Sequence, residues 1–254
     1  MSQLKAIIFD VDGTMSDTEE AHRVAFNETF KQNELDWYWD ILQYKKLLEV
    51  TGGKERIKHF IDINHFSLSI PSNYPNLTEY VKYLHTQKNN IFASIIQKGE
   101  VPFRVGFERL VSEAREQNIT LAIATTTSLS NVEALITSNL GVGAMDCFAV
   151  IGAGDMVANK KPSGEIYKYV LEKLHLNAKE CVAIEDSYNG LCSSKEAHLA
   201  TLITVNPYTQ EHDFSQADTV VSSLGDRHTP SQWVSGKTLE GDFIDLQSLE
   251  NLLG

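Results

Sequence analysis

Residues 4–14 read Leu4-Lys-Ala-Ile-Ile-Phe9-Asp10-Val-Asp12-Gly13-Thr14. A short apolar run of this kind reads as a strand buried on both faces. It ends in two carboxylates spaced by two. Side chains alternate along an extended chain, so Asp10 and Asp12 can project toward one crevice. Two acids there repel unless a cation, a proton or a set of donors compensates. A hard divalent ion is the natural compensation, and Mg²⁺ takes a few carboxylates plus phosphate oxygens. A calcium loop of the Asp-x-Asp kind does not fit, because its glycine belongs at the sixth position and Gly13 falls at the fourth.

Working outward, further apolar runs lie at Thr120–Ala124, Cys147–Ile151, Cys181–Ile184, Thr201–Val205 and Thr219–Val221. Helical patterns fall between them near 106–118, 128–140, 164–174 and 188–198. Phe107, Leu110, Val111 and Ala114 recur at helical spacing in the first. Strands alternating with helices predict right-handed βαβ units and a mostly parallel sheet. The fold class is α/β, a Rossmann-like three-layer core, with ligands expected beyond the carboxyl ends of the strands. Residues 17–96 break the rhythm with helical patterns and no convincing strand. They predict a small helical cap inserted after the first strand, with Phe66–Pro75 as a connector. The core then comprises 1–16 and 97–225. Residues 226–254 form a C-terminal extension, with short strands at Trp233–Val234 and Phe243–Leu246 and a last helical turn over Gln247–Leu253.

Composition bounds the partners. The 254 residues suit one to two domains. The net charge of −12 argues against a nucleic-acid binder and against docking on anionic membrane. Residues 1–40 hold nine acids and three bases, and 205–254 hold eight and two. Cys147, Cys181 and Cys192 are an odd set without metal-type spacing. They predict a reducing compartment, with Cys147 and Cys181 as small buried hydrophobes. No signal-peptide pattern or run of ~20 apolar residues is visible. The expectation is a cytoplasmic monomer, or a stromal one had a plastid transit peptide been removed.

Three later signals sit at strand ends. Thr125-Thr126-Thr127 offers hydroxyls and amides at a helix start, an anion-binding arrangement. Lys161-Pro162 lies in a loop, and Glu185-Asp186 ends another strand. Each alone is weak, since threonines and acids also cap helices. Together, and in this order, they resemble the haloacid dehalogenase-like hydrolases, and the cap is similar to that of their phosphatases and β-phosphoglucomutases. The resemblance implies a nucleophile at Asp10 and a general acid/base at Asp12. It implies phosphoryl binding by Thr125 and the Thr126 amide, and charge neutralisation by Lys161. Mg²⁺ would be held by Asp10, Asp186 and the Asp12 backbone carbonyl, with Glu185 acting through its outer shell or through Lys161. Asp12 must be protonated when Asp10 attacks, so its acidic surroundings should raise its pKa.

The cap narrows the substrate. Thr18-Glu-Glu20-Ala-His22, Ala25-Phe-Asn27-Glu-Thr-Phe30, Thr51-Gly-Gly-Lys54-Glu-Arg56 and Lys98-Gly-Glu-Val-Pro-Phe-Arg104 resemble the CbbY-type phosphatases. Those act on xylulose 1,5-bisphosphate, so the resemblance implies a ketopentose bisphosphate. The alternatives are a β-phosphoglucomutase-like transferase, or a phosphatase for another small sugar phosphate. Val105 departs from that pattern where proline is expected. Residues 40–60 carry a net +2 inside an acidic protein. Lys54 and Arg56 follow Gly52-Gly53, and this loop is expected to grip a distal phosphate. Glu20 and His22 are expected to contact sugar hydroxyls or assist Asp12. Trp37, Tyr38 and Trp39 read as cap core, His85 as structural, and Tyr188 and Asn189 as cleft residues.

Overall fold

The computed structural model describes residues 3–64, 70–99, 101–238 and 240–253. Its sheet contains β1 (Ala6–Phe9), β2 (Thr120–Ala124), β3 (Val150–Gly152), β4 (Cys181–Glu185), β5 (Ala200–Thr204), β6 (Thr219–Val221) and β7 (Trp233–Gly236). The spatial order is β3-β2-β1-β4-β5-β6-β7. The first six strands are parallel, as the alternation predicts, and β7 pairs antiparallel with β6. β1 lies between β2 and β4, where the winding reverses direction. Its carboxyl end therefore opens into the crevice where such sheets bind ligands.

Strand alternation divides the core into two layers. Ile7, Phe9, Leu121, Ile123, Val182 and Ile184 face one side. There they meet α5 (Phe107–Glu116), α6 (Leu129–Leu140) and α9 (Leu246–Glu250). Ala6, Ile8, Ala122, Ala124 and Ala183 face the other, where their small side chains let α7 (Glu165–Leu174) approach closely. α8 (Tyr188–Glu196) packs beside β5 through Leu191 and Ile203.

The insert holds α1 (Glu19–Gln32), α2 (Ile41–Leu47), α3 (Gly53–Ile63) and α4 (Leu77–Gln97). It has its own core of Phe26, Phe30, Trp37, Trp39, Tyr44 and Phe60. Trp37 and Trp39 are thus cap core, whereas Tyr38 is exposed. Asn27 holds the Trp39 backbone from both sides. Its Nδ2 donates to Trp39 O at 2.8 Å, and its Oδ1 accepts from Trp39 N at 2.7 Å. The two linkers between cap and core run side by side, with Ser16 bridged to Phe103. Phe66–Ser69 of the expected connector lies outside the described residues.

Three local expectations need correction. Cys147 ends a 3-10 turn over Ala144–Cys147 and is only partly buried, whereas Cys181 is buried. Phe243–Leu246 is not a strand, because Asp245 caps α9 by accepting from Ser248 N. Ile244 instead bonds the loop after β6, its N–H donating to Leu224 O at 2.8 Å. The third concerns Trp233–Val234, where the strand runs two residues longer, to Gly236.

Candidate active site

Asp10 continues β1 by one step, its N–H donating to Ile184 O at 3.0 Å. Gly13 then turns the chain at φ +84°, a conformation that favours glycine. A Cβ there would fall 2.2 Å from Asp186 Oδ2, so the close approach also demands glycine. The turn brings the β1 and β4 acids together. Carboxylate oxygens of Asp10, Glu185 and Asp186 all lie within 4.8 Å of one another, and all three residues are buried. Three buried carboxylates against one lysine form a donor set suited to a hard divalent cation.

That lysine is Lys161. Its Nζ donates to Asp10 Oδ1 at 2.6 Å, Glu185 Oε1 at 2.5 Å and Ala124 O at 2.8 Å, which uses all three ammonium protons. Burial works against its charge, but Asp10 and Glu185 outweigh burial and hold its pKa above the ordinary lysine value. Tyr167 OH also donates to Glu185 Oε1, at 2.6 Å. Glu185 is therefore engaged by protein donors. Burial pushes Asp10 up to about 7, the Glu185 and Asp12 charges adding to it and Lys161 opposing. Burial raises Asp186 too, with the Asp10 and Glu185 charges, despite a 2.7 Å hydrogen bond from Asn206 Nδ2.

Asp12 turns toward the cap. Its Oδ1 accepts from Thr18 Oγ1 at 2.7 Å and from His22 Nε2 at 2.9 Å. A carboxylate can only accept, so Nε2 carries the proton and His22 Nδ1 accepts from Lys88 Nζ at 2.6 Å. Burial alone would raise Asp12. The His22 and Thr18 bonds and the nearby Lys88 outweigh it and hold the carboxyl below its usual range. This corrects the expectation of a raised value, which considered the acids and not the cap. Burial lowers His22 to about 4 and Lys88 to about 7. His22 also stacks on Phe92, with ring centroids 3.9 Å apart.

Thr125 is buried at the end of β2, its N–H bonded to Gly152 O at 2.9 Å. Thr126 follows on the cavity wall, and α6 begins behind it with Ser128 as its cap. The positive end of α6 thus faces the site.

Cap and core enclose a cavity of about 840 Å³ that Asp10, Asp12, Thr125, Thr126, Lys161 and Asp186 all line. His22, Lys54 and Arg56 line it from the cap. Lys54 is ion-paired with Asp155. Arg56 donates to Leu47 O, Val50 O and Tyr44 OH at 3.0–3.3 Å. Glu20 is not on this wall; it pairs with Arg23 and accepts from Tyr208 OH at 3.1 Å. Its neighbour Glu19 lines the cavity instead and accepts from Tyr44 OH at 3.1 Å. Burial and the Asp12 charge raise Glu19 to about 7 against the pull of Arg56. Helix phase separates the two acids, since 19, 22, 26 and 30 share the buried face of α1. Sequence reasoning misses Lys88 too, and the signal for it is a lysine between Leu84 and Phe92 on an apolar stripe. Tyr188, Asn189 and His85 also line the cavity.

Residues 7–204 match the family model for haloacid dehalogenase-like hydrolase. CbbY of Cereibacter sphaeroides is 43% identical over 223 residues, covering 88% of this chain and 94% of that one. A CBBY-like protein of Arabidopsis thaliana is 35% identical, covering 87% and 69%. Among solved structures, CbbY from Rhodobacter sphaeroides with phosphate superposes with a TM-score of 0.80 at 43% identity, covering 87% and 95%. A variant of that protein in complex with xylulose 1,5-bisphosphate gives 0.81 at 42%, covering 89% and 98%. A β-phosphoglucomutase of Clostridium difficile shares the fold at 21% identity and a TM-score of 0.69, covering 87% and 92%. The chain belongs to the haloacid dehalogenase-like hydrolases, in their CbbY-like branch, and is a phosphoric monoester hydrolase.

Proposed function

We propose that this chain is a Mg²⁺-dependent phosphatase of a sugar phosphate that passes through an aspartyl-phosphate on Asp10. The observation that carries the reading is Asp10 itself. It stands at the switch point with Lys161 Nζ at 2.6 Å and two more carboxylates beside it. Asp10, Asp186 and the Asp12 carbonyl are the proposed Mg²⁺ ligands, with Glu185 behind them. Bound there, the ion would screen the phosphate dianion and stabilise charge on its oxygens.

The chain's own groups supply the rest. Lys161 offsets the repulsion between phosphate and Asp10 and positions the carboxylate. Thr125, the Thr126 amide and the α6 dipole receive the equatorial oxygens. Splitting one displacement into two through Asp10 lowers each barrier. Asp12 gives a proton to the leaving oxygen and then takes one from water. It is ionised in the substrate-free site, and the arriving dianion raises its proton affinity. The His22–Lys88 pair is the nearest proton reserve.

The proposed substrate is a ketopentose bisphosphate such as xylulose 1,5-bisphosphate. The relative bound to that compound supports this, as does a cavity lined by Asp10 from the core and by Lys54 and Arg56 from the cap. Glu19, held by Tyr44 OH, rather than Glu20, is the proposed contact to sugar hydroxyls. The test is a phosphate-release panel with Mg²⁺ and EDTA arms. Xylulose 1,5-bisphosphate should be hydrolysed best and EDTA should stop it. Faster turnover of hexose monophosphates would refute the bisphosphate preference. A requirement for a sugar 1,6-bisphosphate activator would mark a mutase instead.

A further inference from the structure

Beside the catalytic residues stands an open ring of four charges, Lys54, Asp155, Lys160 and Glu55, of which the reading above uses only Lys54. Lys54 and Glu55 come from the cap, at the start of α3. Asp155 and Lys160 come from the core loop that follows β3. Lys54 pairs with Asp155 across the divide. Lys160 Nζ lies 3.1 Å from Asp155 Oδ1 and donates to both Glu55 oxygens, also at 3.1 Å. Signs alternate along it, from Lys54 to Asp155 to Lys160 to Glu55, so each cation meets a core carboxylate and Lys160 also meets a cap carboxylate.

The backbone is shaped for it. Gly52 has φ +98°, and a Cβ there would sit 2.2 Å from Glu55 Oε2 and 2.9 Å from Lys160 Nζ. Any side chain at that position would push into the ring. Lys160 is mostly covered, its side chain 14% exposed, while Asp155 and Glu55 lie nearer the rim at 62% and 44%.

The next residue is Lys161. One peptide bond separates the ammonium held by the cap from the ammonium held by Asp10. We propose that Lys160 is a positioning residue, through which the closed cap fixes Lys161 against the nucleophile. This rests on the reading of Lys161 as the group that neutralises the phosphoryl. With the cap closed, Glu55 holds one end of the loop and the Asp10–Glu185–Ala124 set holds the other. With it open, Lys160 keeps only Asp155, and the loop regains freedom.

The test combines Glu55→Lys, Lys160→Glu and the double charge reversal. Phosphate release with Mg²⁺ is measured on xylulose 1,5-bisphosphate and on p-nitrophenyl phosphate. Amide hydrogen exchange of residues 154–163 is followed in parallel. Each single variant should lower kcat by about ten-fold on both substrates, the size expected of a small misplacement. The double variant should recover part of that loss, to within about three-fold of the wild type, because the 55–160 pair re-forms across the divide and Asp155 keeps Lys54, although it now faces an acid at 160. Exchange should quicken in the singles and slow again in the double. A rise in KM confined to the bisphosphate would make Glu55 and Lys160 substrate contacts and overturn the proposal. So would unchanged kcat, or single losses that the double does not repair. If the wild type releases no phosphate, the function reading fails, and exchange without the predicted pattern would still refute the clasp.

Discussion

Asp12, His22 and Lys88 form one hydrogen-bonded chain from the cap into the site, and its charge state decides how Asp12 can act. Lys88 is held near 7 by burial, so its ammonium is present below that pH and lost above it. Activity should therefore fall as pH rises through about 7. Lys88→Met should lower kcat by about 10²-fold and flatten that limb, as a pH profile of kcat would record. An unchanged profile would remove Lys88 from proton handling. At this scale the sequence was uneven. Asp10, Asp12 and Asp186 were legible because strand ends concentrate charge at predictable places, whereas Lys161, in a loop, stood out only through the resemblance of the motif order. Glu19 and Tyr44 were not, because the choice between adjacent acids depends on the phase of α1 against the cavity. The direction of the Asp12 shift was hidden too, since its partners come from helices 6 to 76 residues away in sequence.

At the scale of elements, the cap touches the segments that follow β2, β3, β4 and β5 at the carboxyl end of the sheet. Asn89 donates to Ser128 Oγ at 3.4 Å, behind the loop of Thr125. Asn189 donates to Thr51 Oγ1 at 2.9 Å, just past Asp186. Tyr208 reaches Glu20, two residues after Asn206, and Lys45 pairs with Glu211 at 3.1 Å. Of the five cations counted between 40 and 60, Lys54 and Arg56 reach the cavity, while Lys46 and Lys58 stay exposed. The cap itself depends on Asn27, whose amide answers both backbone groups of Trp39. Asn27→Ala should cost about 1–3 kcal/mol of stability by leaving them without that partner. Urea unfolding measures this, and a loss of a few tenths would mean that water replaces the amide. Parallel strands and the helical insert were readable from periodicity alone. Residues 243–246 were misread because Ile244 and Leu246 alternate like a strand while Asp245 is a helix cap.

The whole molecule carries −12, yet its site must admit an anion. Part of the N-terminal excess belongs to Asp10 and Asp12, and of the acids in 205–254 Asp213 alone among the described residues lines the cavity. Burying Asp10 beside Glu185 and Asp186 is a strain on the metal-free protein. Asp10 has its pKa raised from 3.8 to about 7, so the folded state holds a proton that the unfolded state has released. Stability from this group is full below about pH 4 and declines as pH rises toward 7. Asp186 shifts the same way. Mg²⁺ should therefore raise the melting temperature more at pH 8 than at pH 5, in a thermal-shift series with and without EDTA. Equal effects at both values would place the ion elsewhere. The chain has no helix long and apolar enough to cross a membrane among the described residues. The central claim is that Asp10 takes the phosphoryl group. Acid-quenched turnover of xylulose 1,5-bisphosphate with Mg²⁺, followed by peptide mass spectrometry, tests it most directly. The wild type should carry a phosphoryl adduct on Asp10, and Asp10→Asn should lose both the adduct and phosphate release by about a thousand-fold or more. Phosphate release at the wild-type rate from Asp10→Asn would contradict the account.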